Sequence, residues 1–180
     1  MNSVSVRNKS WIFKEYDEQD VLFYKENYFL DEIVSRLLSI RKIKKEEVQA
    51  FLSPSIRNFL PNPEVINDMQ KSAKRTVQGI INKHKIGIFG DYDVDGASAT
   101  ALLANFFNEI NISYEIYIPD RKKEGYGPST ESIKRFIANG VNLIFTVDCG
   151  TLSFEAIDFA YKNKIDVIIL DHHQSEVNLP

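Results

Sequence analysis

Cysteine is almost missing from this chain of 180 residues, where Cys149 stands alone. A single thiol rules out an internal disulfide framework, fits a reducing compartment, and without a paired partner argues against structural zinc. Long apolar runs are missing too. Nothing approaches the roughly 18 residues of a membrane span, and the opening MNSVSVRNKSWIFKEYDEQD has no apolar signal core. The expectation is a soluble, cytoplasmic protein. Neither sign of charge dominates, since 22 basic and 25 acidic residues leave a net charge of −3, which gives no global signature of a nucleic-acid binder. Basic residues do cluster locally, at Arg41, Lys42, Lys44 and Lys45, at Lys71, Lys74 and Arg75, and at Arg121, Lys122 and Lys123. The first two clusters read as solvated helix faces. Internal repeats and low-complexity tracts are absent.

With 43% hydrophobic residues, the chain can bury one substantial core, which makes one domain or part of one. Its pattern falls into two halves. Residues 1–84 form a helical lead-in whose first 20 or so residues are weakly specified. Leu30, Ile33, Val34, Leu37 and Leu38 recur at spacings of three and four, a second helical stretch runs from Lys45 to Leu52, and a longer helix runs from about Glu64 to Lys83. The single proline of SPS and the proline pair of PNP interrupt them. From residue 85 the period changes. Four apolar runs, Lys85 to Phe89, Tyr114 to Ile118, Leu143 to Val147 and Asp166 to Leu170, alternate with amphipathic stretches beginning near Ala97, Ser129 and Leu152. That alternation predicts an α/β fold, a parallel sheet with helices on both faces built from right-handed βαβ units.

Ligands of such sheets bind outside the carboxyl ends of the strands. The four ends carry, in order, GDYDVDG, PDRKKEGYG, DCG and DHH. Folding needs none of these charges. Asp91, Asp93 and Asp95 have the spacing of the first half of a calcium-binding EF-hand loop, but the twelfth position, which must be Glu, is Leu102, and a strand precedes the loop. One aspartate there could simply cap a helix; three close carboxylates point to a cation. Asp148 could cap the next helix, and His172 with His173 could be a polar strand exit. Cys149 reads as a small filler without an obvious histidine partner, and His84 as an exposed residue. Taken together, the carboxylates and imidazoles could surround one volume, and that donor set suits Mn²⁺ or, with more water, Mg²⁺. Phosphoester hydrolysis is the reaction class that follows.

GDYDVDG, IPDRKKEGYG, TVDCG and DHH, in this order and spacing, resemble the DHH phosphoesterase superfamily, and EGYG is similar to its RecJ branch of single-strand-specific 5′-to-3′ DNA exonucleases of repair and recombination. Residues 51–75, FLSPSIRNFLPNPEVINDMQKSAKR, resemble the lead-in of that branch. The resemblance implies single-stranded DNA as partner and a two-metal site holding Mn²⁺ or Mg²⁺. It implies Asp93, Asp95, Asp148 and His172 as metal ligands, and Asp91, Asp171 and His173 beside the metals or the scissile phosphate. Arg121 would contact substrate phosphate with its planar donor fork, and Gly125 and Gly127 would let their loop approach the strand.

Two departures stand out. Other superfamily members often carry a histidine where this chain has Phe89, which implies less nitrogen around one metal. The sequence stops at Pro180, seven residues after His173, whereas the resemblance implies a further metal-binding aspartate and a second domain. Residues 85–180 are therefore expected to be the N-terminal part of a DHH domain, inactive alone. Three alternatives remain open: a haloacid-dehalogenase-like phosphatase suggested by DVDGA, a small-nucleotide phosphodiesterase or pyrophosphatase of the same superfamily, and a non-catalytic stub.

Overall fold

The computed structural model describes Arg7 and residues 9–180. The stretch inspected above for a signal sequence falls in part on residues 1–6 and 8, which lie outside the described residues. Two compact units divide the chain, Met1–Asn62 and Pro63–Pro180. Residues 63–84 are thus grouped with the sheet, although the apolar period changes only at residue 85.

In the first unit, α1 (Glu18–Tyr28) and α2 (Glu32–Ile40) pack with the short α3 (Val48–Leu52). Asp17 starts α1 by accepting from the backbone N–H of Gln19 at 2.7 Å, and Phe29 ends it in the left-handed region at φ 53°. A small core joins Tyr24, Leu38 and Val48. The buried Tyr24 hydroxyl finds its partner in the Ile43 carbonyl at 2.7 Å. A further short helix, α4 (Ile56–Phe59), follows the first proline break. α1 escapes sequence reading because only Val21 and Tyr24 of its residues are buried, too few to write an apolar stripe.

The second unit begins with α5 (Met69–Ile81), shorter at both ends than its predicted span because a 3₁₀ turn takes up Pro63–Val65 and Asn82 caps the end. Then strands and helices alternate: β1 (Ile86–Gly90), α6 (Val94–Glu109), β2 (Tyr114–Tyr117), α7 (Thr130–Ala138), β3 (Leu143–Val147), α8 (Phe154–Lys162) and β4 (Asp166–Leu170). All neighbours pair in parallel, in the order β2-β1-β3-β4, with Phe89 opposite Thr146 and Val147 opposite Leu170. β1 and β3 are buried along their full length, which is why both read as unbroken apolar runs.

Alternate residues feed two cores. Ile86, Ile88, Leu143 and Phe145 face Ala104 and Phe107 of α6, whereas Phe89 and Ile144 face Ile133 and Phe136 of α7 and Ala156 and Ala160 of α8. The chain leaves β1 for β2 on one side and places β3 on the other. β1 and β3 therefore flank the point where strand order reverses, and their carboxyl ends open a crevice. Among the described residues, no helix is long and apolar enough to cross a membrane.

At the amino edge, Glu115 on β2 receives Lys85 Nζ at 3.2 Å and Asn139 Nδ2 at 2.7 Å, with Arg135 Nε 3.6 Å away. Burial pushes its carboxyl up, but the Asn139 and Lys85 hydrogen bonds and the Lys85 and Arg135 charges together outweigh burial, so the net shift is downward. A lowered folded-state pKa adds stability above the unfolded value near 4.3 and loses it as pH falls through the folded one. Glu115→Gln is expected to destabilise by about 1.5 kcal/mol at pH 7. The gap between the two proteins should close as pH is lowered below about 4. Urea unfolding at both pH values checks it, and a gap unchanged at low pH would contradict the assignment.

Candidate metal centre

Each strand end delivers its polar group by a local device. After β1 the chain turns at Asp91 and Tyr92, and Asp93 caps α6 by accepting from the N–H groups of Asp95 and Gly96, both at 3.0 Å. That cap starts α6 at Val94, three residues before the predicted start. After β3, Asp148 sits in the left-handed region at φ 61°, which aspartate tolerates better than most residues, while its N–H still bonds the Leu170 carbonyl at 2.8 Å. After β4, Asp171 accepts from the Thr151 backbone N–H at 3.1 Å and its hydroxyl at 2.6 Å.

Two groups of candidate ligands result. Asp91, Asp93 and Asp148 each offer one oxygen, all within 4.8 Å of one another, and Asp148, His172 and His173 do the same with one oxygen and two imidazole nitrogens. Asp148 belongs to both. Asp91 and Asp148 are only 3% and 6% exposed, and Asp91 Oδ1 and Asp148 Oδ2 are buried without any hydrogen-bond donor. Two charges 4.8 Å apart repel by about 3 kcal/mol even at an effective dielectric of 20. Asp93 is exposed and screened by solvent, so the buried pair Asp91 and Asp148 is where a cation would offset the most repulsion.

The protonation equilibria register the same strain. Burial, then the neighbouring Asp93 carboxylate, pushes Asp148 up, while the Gly96 N–H helps hold Asp93 down. His172 Nε2 lies 3.0 Å from Asp148 Oδ1. Asp171 goes the other way. Burial alone would raise it, but Thr151 and His173 hold its carboxyl down to about 2. Its Oδ1 accepts from His173 Nδ1 at 2.7 Å, and that bond raises the imidazole pKa. A carboxylate can only accept, so Nδ1 carries hydrogen and Nε2 keeps the lone pair in the neutral ring.

Of the residues singled out in the sequence, Asp91, Asp93, Asp148, His172 and His173 come together, and Asp171 braces His173. Asp95 belongs to neither ligand group; it lies exposed in the first turn of α6. Arg121 is exposed, its guanidinium 5.1 Å over the Tyr92 ring. Gly125 and Gly127 adopt φ 83° and 79°. A Cβ at Gly125 would touch nothing within 4 Å, so left-handed backbone, not close approach, is what that position requires; only Gly127 is tight, with Ser153 Oγ at 3.1 Å. His84 is half-buried and its Nδ1 unpartnered, in place of the expected exposed residue. Thr151, Gly96 and Tyr126 were missed. Gly96 could have been found as the glycine that closes DVDG: a Cβ there would lie 2.6 Å from the Asp91 carbonyl oxygen.

A parallel sheet whose reversal point is lined by carboxylates and histidines is an α/β fold with a candidate cation site, and comparison gives it a family. Residues 85–180 match the DHH family, N-terminal domain, and the chain belongs to that family. It is 33% identical over 171 residues to the single-stranded-DNA-specific exonuclease RecJ of Bacillus subtilis, covering 94% of this chain and 22% of that protein. To the RecJ of Haemophilus influenzae it is 32% identical over 149 residues, covering 82% and 25%. The chain thus spans about a quarter of the length of these curated relatives. A crystal structure of exonuclease RecJ bound to manganese superposes with a TM-score of 0.57 at 29% identity, over 61% of this chain and 28% of that one. The Thermus thermophilus RecJ complex with Mn²⁺ gives a TM-score of 0.66 over 93% of this chain and 23% of that one, a likeness of fold at 18% identity.

Two predictions arise from the packing. Glycine to alanine inside a helix ordinarily stabilises by up to about 1 kcal/mol. Gly96→Ala is expected to do the opposite, destabilising by about 2 kcal/mol and weakening divalent-cation binding, because α6 must retreat from Asp91. Urea unfolding with calorimetry reads both, and a stabilised variant would refute the steric argument. Cys149 is fully buried and its thiol, by burial and then the Asp171 charge, is pushed up to about 12. Iodoacetamide should therefore label it only after unfolding. Rapid labelling of the folded chain would count against this.

Proposed function

We propose that this site hydrolyses phosphodiester bonds of single-stranded DNA from the 5′ end, with Mn²⁺ or Mg²⁺ as cofactor, in the cytoplasm. The observation that carries the chemistry is the double membership of Asp148, one buried carboxylate shared by two candidate ligand groups. A carboxylate between two adjacent cation sites is the arrangement that two-metal phosphoester hydrolysis employs. The substrate is read from the relatives named above, whose printed activity is on single-stranded DNA.

Asp91, Asp93 and Asp148 would hold the cations on one side and His172 with His173 on the other. When bound, divalent ions supply Lewis acidity toward phosphate oxygen and lower the pKa of water. The remaining work belongs to the chain's own groups. The two N–H groups at the start of α6 fix the Asp93 carboxylate before any ligand arrives. Arg121 presents up to five donors for a phosphate, and the Tyr92 ring beneath limits its rotation. His173, with Nδ1 anchored on Asp171, would present Nε2 to a cation with its ring already oriented.

Asp93→Ala and Asp148→Ala are each expected to abolish Mn²⁺ binding by the chain in calorimetry while leaving it folded, since either change relieves repulsion. Activity is tested by replacing the matched segment of the Bacillus subtilis relative with this chain. The chimera should release nucleotides from 5′-phosphorylated single strands with Mn²⁺, and Asp148→Ala should cut turnover by at least about 100-fold. A chimera that binds Mn²⁺ yet prefers dinucleotides would move the substrate to small nucleotides; one that folds without turnover would sink the proposal. Arg121→Ala should weaken DNA binding and lower the salt slope by about one. An unaltered slope would remove Arg121 from the DNA surface.

A further inference from the structure

Tyr126, in the middle of EGYG, has been given no role so far. Its hydroxyl lies 2.9 Å from the Asp148 carbonyl oxygen and 3.1 Å from His173 Nδ1. A phenol has one hydrogen. A carbonyl only accepts, so that hydrogen goes to Asp148, and toward His173 the phenol oxygen must be the acceptor. The demand on His173 is the same one Asp171 makes, a hydrogen on Nδ1. Two independent partners, from two different loops, therefore select one tautomer. The rings also meet edge to face, with centroids 5.6 Å apart and planes at 73°.

We infer that Tyr126 is a positioning residue, whose hydroxyl clamps the strand-end backbone at Asp148 to the His173 ring and so holds Nε2 as the nitrogen with a free lone pair.

The local backbone supports this. Gly125 and Gly127, one on each side, occupy left-handed conformations, and Asp148, whose carbonyl receives the hydroxyl, is itself left-handed at φ 61°. For Asp148, which is not glycine, such backbone persists only where surrounding contacts over-determine it. Gly125 has open space around its missing side chain, so its conformation rather than its size is what the loop uses. Tyr126 is 51% exposed and lies in none of the three hydrophobic clusters, which makes core packing a poor account of its placement.

The inference rests on the metal-site reading only for its consequence, and the experiment separates the two. In the metal-free 180-residue chain, above the imidazole pKa, ring ¹⁵N correlation spectra report the tautomer of His173. The unsubstituted chain should show Nδ1–H alone, with a slowly exchanging proton. Tyr126→Phe keeps the ring and loses the oxygen; a population of Nε2–H should appear and the Nδ1 proton should exchange rapidly. Mn²⁺ affinity, measured by calorimetry on the same samples, should fall about 5-fold, as outer hydrogen-bond partners of ligating histidines typically affect affinity by 10-fold or more and Asp171 remains here. Amide spectra of β1 and β3 should stay unchanged, which keeps the result from being one of misfolding. A Tyr126→Phe chain that retains either the original His173 tautomer or the original Mn²⁺ affinity overturns the inference. If the unsubstituted chain binds no Mn²⁺, the metal-site reading fails and the tautomer alone decides the role of Tyr126.

Discussion

Repulsion among Asp91, Asp93 and Asp148 is the constraint around which the second unit is organised. Held within 4.8 Å, with Asp91 and Asp148 out of water and Asp93 at the surface, the three carboxylates oppose folding, and the surrounding elements act to contain them. The N–H groups at the start of α6 point at Asp93, where the positive end of a 16-residue helix also favours negative charge. His172 stands against Asp148 on the other side. These devices do not reach the buried Asp91 Oδ1 and Asp148 Oδ2, the two carboxylate oxygens among the unpartnered buried atoms of the described residues. A cation answers these oxygens more completely than any side chain present.

Sheet order decides which carboxylates meet. Because β3 pairs with β1 directly, the residues that follow these two strands become neighbours even though Asp91 and Asp148 are 57 positions apart in the sequence. Glycine at both strand ends leaves room for threonine side chains that any Cβ would meet. A Cβ at Gly90 would lie 2.0 Å from Thr100 Oγ1, and one at Gly150 would lie 2.5 Å from Thr146 Oγ1. Small residues at strand ends set the ligand spacing; the ligands themselves only occupy it. Thr151 then joins the β3 end to the β4 end through Asp171, so that the second histidine arrives already oriented.

Much of this was legible in the sequence, for a physical reason. Strands buried on both faces must be apolar throughout, so β3 coincides with its predicted span and β1 with all but one residue at each end; β4, only partly buried, also keeps its predicted span. Charged residues immediately after such strands have no part in the core, so Asp91, Asp93, Asp148, Asp171 and the two histidines could be picked out from position alone. What stayed hidden depends on the third dimension. α1 buries two side chains and writes no period. Asp95 shares its loop with two ligand candidates, but the cap made by Asp93 commits it to the first helical turn, away from both groups. Tyr126 and Thr151 act through hydrogen bonds to other loops, and no spacing rule encodes a partner 22 or 20 residues away.

Positive-φ backbone gathers in the two loops that meet at the candidate site. Asp148 and Gly150, at φ 61° and 112°, bracket the buried thiol of Cys149 in the loop that leaves β3, while Gly125 and Gly127 bracket Tyr126 in the loop that leaves β2. Each left-handed non-glycine residue carries a cost of about 1 kcal/mol, paid in the folded state whether or not a ligand is present. A loop free to relax would shed that strain and lose its shape. Here the Tyr126–Asp148 hydrogen bond ties the two loops together, and the Asp148 N–H is tied to β4, so neither relaxes alone. Conformational entropy that a ligand would otherwise have to remove has already been removed by folding. Rigid placement of like charges is unfavourable for the carboxylates alone and favourable beside a cation, and that asymmetry is the physical basis of the proposed cation site.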